Sequence, residues 1–274
     1  MKTILLSVLL LVTGIVTLSS CSKDDAVTSA SKTFVLVHGA WQASYVWQAV
    51  KDQLVQQGQH VVVVELPGHG ADNTSLATLS MDVYRDKVVA AINALPENVI
   101  LVGHSMGGMV VSTVAEKIPG RIDKLVYIGA FLPANGQSLL ALASTDSTSQ
   151  LGPALIPSAD QLTLGIKPEN LAPLFIQDGS DAVKKQVVDN YRAEPSIPFT
   201  NPVTLTATNF GKVPKYYVYT AQDHAVGLNL QKRMVAAAGI KSTYTLNNSH
   251  CPFLSMPTEV TVLLQDIAKQ VPAQ

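Results

Sequence analysis

The sequence predicts an α/β fold: a doubly wound, mostly parallel sheet of six strands with a helical insertion over one end. Three observations predict it. From Thr33 onward, short runs of β-formers alternate with longer amphipathic segments, the order required by a parallel sheet with right-handed crossovers. The alternation stops between Pro133 and Val213 and then resumes. A glycine-flanked turn, Gly103-His104-Ser105-Met106-Gly107, directly follows one strand run and opens a helix run, the setting of a strained strand-to-helix turn.

Taken in order, Thr33–Val37 is a strand rich in β-formers. Tyr45–Gln57 reads as a helix closed by Gly58. His60–Glu65 holds four consecutive valines and reads as a strand buried on both faces. Leu79–Leu95 is a helix with Pro96 just beyond it, and Asn98–Val102 another buried strand. Ser105–Ile118 is a helix and Lys124–Ile128 a strand. After the break, Lys215–Thr220, Leu228–Ala238, Ser242–Leu246 and Glu259–Ala268 continue strand, helix, strand, helix. The break is rich in Ser, Thr, Asn and Pro and offers short helices at Gln137–Ala143, Pro168–Phe175 and Asp181–Tyr191. About 80 structureless residues inside a compact domain would be anomalous. Residues 134–213 are therefore expected to be a mainly helical cap, with the core in 33–133 and 214–274.

The chain has 274 residues, 47% hydrophobic and 14% charged, with 19 Lys+Arg against 20 Asp+Glu. That composition excludes a disordered chain. It also excludes a nucleic-acid binder working by phosphate neutralisation, which needs a basic excess. Two cysteines make neither a disulfide framework nor a multi-cysteine zinc site. The N-terminus is an address: Lys2 precedes an apolar run, Ile4–Val16, shorter than the roughly 20 residues that span a bilayer. Leu18-Ser19-Ser20-Cys21 resembles a bacterial lipobox. Residues 1–20 are then a removed signal peptide, Cys21 a lipidated anchor, 21–32 a small polar tether, and the protein an exported lipoprotein of the cell envelope, at the outer membrane or cell surface. Contact with the membrane would run through that lipid only.

Ser105 is the expected nucleophile, held exposed by its tight turn, with a helix N-terminus behind it that favours developing negative charge. A serine hydroxyl needs a base. The histidines are His38, His60, His69, His104, His224 and His250. In sheets of this build the acid and then the base follow the nucleophile in the chain. His250 lies in the loop after the last strand and is the expected base; Asp223, just after the strand before it, is the expected acid. His104 is expected to pack, His60 to be structural, and His224 to be a weaker alternative base. Asp123 precedes its strand, and Asp146, Asp178 and Asp189 fall in the insertion, so none is as well placed. Two backbone N–H groups should hold the oxyanion: that of Met106, after the nucleophile, and that of Ala40, after the first strand.

Phe34-Val35-Leu36-Val37-His38-Gly39-Ala40, Gly103-His104-Ser105-Met106-Gly107-Gly108, Ala130-Phe131-Leu132-Pro133 and Ser249-His250-Cys251-Pro252-Phe253-Leu254 together resemble the α/β-hydrolase superfamily, and within it the plant methylesterase and hydroxynitrile lyase family with its bacterial esterase relatives. The resemblance implies cofactor-free serine chemistry without a metal, a cap over the active site, and a small-molecule ester as substrate. The lyases of that family carry threonine where Gly39 stands and lysine where Cys251 stands, so the resemblance points to ester hydrolysis and away from cyanohydrin cleavage. Cys251 is expected to form pocket wall. Gln42-Ala43-Ser44-Tyr45-Val46-Trp47 departs from the family's His-Gly-rich stretch. Other readings of the scaffold are a ligand-binding sensor and a carbon–carbon hydrolase. The apolar cap, with Leu139, Leu140, Leu142, Leu155, Ile156, Leu162, Leu164, Leu171, Leu174 and Phe175, favours small to medium apolar or aryl esters.

Overall fold

The computed structural model describes residues 31–271; the expected signal peptide, Cys21 and most of the expected tether lie outside them. In chain order the core begins β1 (Thr33–Val37), α1 (Gln48–Gln56), β2 (His60–Val64), α2 (Met81–Asn93), β3 (Val99–His104), α3 (Gly107–Lys117) and β4 (Ile122–Ile128). Next come α4 (Leu139–Ala143), α5 (Leu151–Ala154), β5 (Leu155–Pro157), β6 (Thr163–Ile166), α6 (Pro168–Phe175), α7 (Asp181–Asp189), β7 (Glu194–Pro195) and α8 (Ile197–Thr200). The core resumes with β8 (Lys215–Thr220), α9 (Leu228–Ala237), β9 (Ser242–Leu246), α10 (Pro252–Ser255) and α11 (Pro257–Lys269).

The main sheet has six strands in the order β2-β1-β3-β4-β8-β9, every neighbouring pair parallel. β1 and β3, fully buried along their length, lie side by side within it. The chain leaves β1 towards β2 on one side and leaves β3 towards β4 on the other. Between two such strands a crevice opens at their carboxyl ends, where sheets of this type bind ligands. Here that crevice sets the Gly39–Ala40 turn beside Ser105.

Helix signals act locally. Ser80 caps α2 by accepting a hydrogen bond from the Val83 N–H at 3.2 Å, satisfying one otherwise orphaned donor. α3 is buried along most of its length, which explains its run of Val, Ala and Gly: a central helix has little room for long polar side chains.

One expectation needs correcting and another extending. The valine-rich strand β2 is not buried on both faces. It forms the sheet edge, and Val61, Val62 and Val63 are only half-buried; an unbroken apolar run records poor exposure to water, not the number of neighbouring strands. The cap is mainly helical, as expected, with α4 to α8, but it also holds strands. It includes an antiparallel sheet in the order β5-β6-β7, whose strands of two to four residues are too short to display period-two alternation, and two of which contain proline. Not all of the cap's apolar residues turn inward: Leu139, Leu142, Leu171, Leu174 and Phe175 are buried, whereas Leu140 and Ile156 are exposed.

Candidate active site

The turn after β3 carries Ser105 at φ +52°, a left-handed conformation that a non-glycine residue adopts only when its surroundings enforce it. Three backbone bonds enforce it here. Ser105 N–H donates to the Ile128 carbonyl at 3.4 Å, and its own carbonyl accepts from Gly108 N–H and Phe131 N–H, both at 3.0 Å. The flanking glycines make the close passage possible. A Cβ at Gly103 would sit 2.7 Å from the Gly107 carbonyl oxygen, and one at Gly107 would sit 2.8 Å from that of His38. The serine is 7% exposed.

Asp223 follows β8 and His250 follows β9, and the pairing of those strands brings their loops together. His250 Nδ1 donates to Asp223 Oδ2 at 2.7 Å. The same carboxylate oxygen accepts from Thr220 Oγ1 at 2.7 Å and from Gln231 Nε2 at 3.4 Å. Its other oxygen accepts from the N–H groups of Ala225 and Val226, both at 2.8 Å. The acid is thereby fixed in place, and it fixes the imidazole tautomer with Nε2 as the free nitrogen. Ser105 Oγ and His250 Nε2 have no hydrogen-bond partner among the described residues, so the bond between them is not made in this arrangement. His104, next to Ser105 in the chain, has its ring 4.4 Å from that of His250. Resting sites of this kind commonly leave that bond long until substrate arrives.

Ala40 N–H and Met106 N–H also have no protein acceptor among the described residues. They are uncommitted donors on either side of the crevice, as an oxyanion hole requires.

The remaining histidines divide by environment. His104 is fully buried; its Nε2 donates to the His250 carbonyl at 2.9 Å, and burial holds its pKa well below the usual histidine range. His38 is buried and neutral for the same reason, its Nδ1 donating to the Gly39 carbonyl at 2.8 Å and its Nε2 accepting from Leu66 N–H at 3.2 Å. His224 Nδ1 pairs with the Pro173 carbonyl at 2.8 Å. His60, expected to be structural, is largely exposed at the sheet edge. Cys251 is fully buried and accepts from Gln42 Nε2 at 2.8 Å; burial pushes its thiol pKa up, so it is a neutral thiol.

Asp178, set aside as a candidate acid, Phe175, expected as apolar cap, and Glu194, not singled out in the sequence, hold this arrangement. Asp178 lies just past α6 and accepts from Ser249 N–H at 3.0 Å, from Ser249 Oγ, and from Ser255 Oγ at 3.2 Å, gripping both sides of the His250 loop. Phe175 stacks 5.8 Å from the His250 ring and 5.9 Å from Trp41. Glu194, fully buried on β7, accepts from Trp41 N–H at 2.7 Å and bonds His69 Nε2 at 2.9 Å. Burial alone would lower the His69 pKa, but the charge and hydrogen bond of Glu194 outweigh it and raise it. No spacing rule links position 194 to 41 or 69. Its neighbours, Asn190-Tyr191-Arg192-Ala193 before it and Pro195-Ser196 after it, mix polar and apolar types and single nothing out.

A family model described as an alpha/beta hydrolase family matches residues 34–262. The chain is 30% identical over 266 residues to putative methylesterase 11, chloroplastic, of Arabidopsis thaliana, covering 91% of this chain and 66% of that protein. It is 30% identical over 255 residues to putative methylesterase 14, chloroplastic, of the same plant, covering 88% and 73%. The crystal structure of polyneuridine aldehyde esterase superposes with a TM-score of 0.79 at 22% identity, over 87% of this chain and all of that one, a likeness of fold.

Proposed function

The chain belongs to the alpha/beta hydrolase family, within its methylesterase-like group, and from that premise we propose that it is a serine hydrolase cleaving small to medium apolar or aryl carboxylic esters. The observation that carries the assignment of roles is the 2.7 Å bond from His250 Nδ1 to Asp223 Oδ2, in a crevice that also holds a strained serine and two unpaired N–H groups. Ser105 Oγ attacks the ester carbonyl while His250 Nε2 takes its proton. Asp223 stabilises the resulting imidazolium without accepting the proton. The carbonyl π pair becomes an alkoxide, bound by Ala40 and Met106 N–H. As the alkoxide collapses, the C–O bond to the alcohol breaks and His250 hands that alcohol its proton. Water, deprotonated by the same imidazole, then releases the acid.

Apolar acyl or aryl groups suit the surroundings, since buried Trp41 packs on Phe175 and Phe199, and Phe175 lies against the His250 ring. The methylesterase names of the relatives favour a small alcohol as leaving group. Cyanohydrin cleavage is disfavoured on steric grounds. A Cβ at Gly39 would sit 2.7 Å from Ser105 Cβ and 2.8 Å from His104 Nδ1, leaving no space for the lyases' threonine. Cys251, as a neutral thiol, carries no cationic charge for a cyanide leaving group. The test is labelling with a fluorophosphonate, together with multiple-turnover hydrolysis of p-nitrophenyl butyrate. Wild type should be labelled and active, and Ser105→Ala neither. Equal labelling of both would end the assignment.

For the leader, the lipobox-like Leu18-Ser19-Ser20-Cys21 supports an envelope lipoprotein anchored by acyl chains on Cys21. Each buried methylene adds about 0.8 kcal/mol to such an anchor. Cys21→Ser should move the protein from the membrane to the soluble fraction; continued tight membrane association would refute the anchor.

A further inference from the structure

The oxyanion donor Ala40 N–H belongs to the same peptide unit as the Gly39 carbonyl. That carbonyl accepts from the buried His38 Nδ1 at 2.8 Å. The next N–H along the chain, Trp41's, donates at 2.7 Å to Glu194 Oε2. Trp41 is left-handed, at φ +57°, so the turn has no intrinsic preference for this shape and is held in it from outside. The two holders are joined to each other. His69 bonds Glu194 at 2.9 Å, and its ring meets the His38 ring edge-on at 4.9 Å. The Trp41 side chain is pinned to the cap as well: its Nε1 donates to the Leu164 carbonyl at 2.8 Å, and its ring packs on Phe175 and Phe199. Glu194, Leu164, Phe175 and Phe199 come from the cap, and of these four it is Glu194 that bonds the backbone of the turn.

We propose that Glu194 is a positioning residue for catalysis: supported by His69, its carboxylate aims the Ala40 N–H at the developing oxyanion, so the cap completes the oxyanion hole as well as covering the pocket. The inference rests on the ester-hydrolase reading. It differs from a structural strut in what it predicts. A strut that loosens the cap weakens the binding of everything in the pocket. A misaimed donor weakens only what carries an oxyanion, because that charge exists in the transition state and not in the ground state.

The experiment compares wild type, Glu194→Ala and Glu194→Gln in the mature chain, using p-nitrophenyl butyrate and two inhibitors. One is an aryl trifluoromethyl ketone: Ser105 Oγ adds to its carbonyl carbon, the C=O π pair becomes the alkoxide, and the serine proton passes to His250. The other is the matching secondary alcohol, which fills the same space without forming an oxyanion. Glu194→Ala should lower kcat about 10- to 100-fold with KM within about threefold. Its ketone affinity should fall by the same factor as kcat/KM, and its alcohol affinity should hold. Glu194→Gln keeps an acceptor for Trp41 N–H and should stay within about threefold of wild type throughout. If the alanine variant is too unstable to purify, the paired change Glu194→Leu with His69→Phe, which leaves no lone buried charge, should show the same split. Equal loss of ketone and alcohol, unchanged kcat in the alanine or paired variant, or a glutamine variant as impaired as alanine would each overturn the inference. A wild type that neither turns over nor binds the ketone, with Ser105→Ala indistinguishable from it, would instead overturn the ester-hydrolase reading, and this inference with it.

Discussion

The Asp223 carboxylate gathers five donors, and only one of them is the imidazole. Asp223→Asn keeps most of the shape but offers His250 an amide, which favours the wrong tautomer. By analogy with the loss seen in a serine protease of another fold, kcat for p-nitrophenyl butyrate should fall about 10⁴-fold, with Ser105 still reached slowly by a fluorophosphonate. Position 39 allows a different test. Gly39→Thr forces atoms into the backs of Ser105 and His104 and should destabilise the fold by about 1–3 kcal/mol. Thermal melting should show this as a drop of several degrees, with no gain of cyanide release from mandelonitrile.

Among the elements, the loop carrying His250 takes its shape from the cap. Cys251 N–H donates to the Phe175 carbonyl at 3.1 Å, and Asp178 bonds both Ser249 and Ser255. Asp178→Ala should therefore lower kcat about tenfold by releasing that loop, measured at saturating ester. Ser80→Ala, by contrast, removes only the cap of α2 and should cost about 1 kcal/mol in urea unfolding while leaving kcat unchanged. The same elements show which features could be read in advance. Ser242–Leu246 and Lys215–Thr220 match their expected bounds residue for residue, because each run of β-formers is bounded by turn residues. The edge position of β2 was not legible, since sheet order depends on crossovers between distant segments. The cap strands were too short to carry a period. Glu194 and Asp178 work through partners from 71 to 153 residues away, so their roles exist only once the chain has folded.

For the molecule as a whole, three buried histidines pull stability in opposite directions with pH. Burial holds the folded pKa values of His38 and His104 below the usual histidine value, so the unfolded chain binds more protons as pH falls through about 6.5, and the fold loses stability there. His69 has a raised folded pKa. Its contribution is fully present below about pH 6.5 and is lost as pH rises through that raised value. The groups facing it are Glu194, Glu65, His38, Tyr84 and the Pro67 carbonyl; Glu194 bonds its Nε2 and the Pro67 carbonyl its Nδ1. Urea midpoints between pH 7 and pH 5 should therefore fall more steeply in Glu194→Gln than in wild type, because the opposing gain from His69 disappears. Parallel slopes would show that the pair does not titrate with folding.

The order of strands across the sheet also sets an order in time. Ser105 leaves the ribosome with β3, but Asp223 and His250 ride on β8 and β9, the last strands to be made and the last to add to that side of the sheet. A nascent chain paused anywhere before residue 250 therefore carries its serine with no base to activate it. With the roles proposed above, synthesis itself keeps the serine silent until residue 250 has been made.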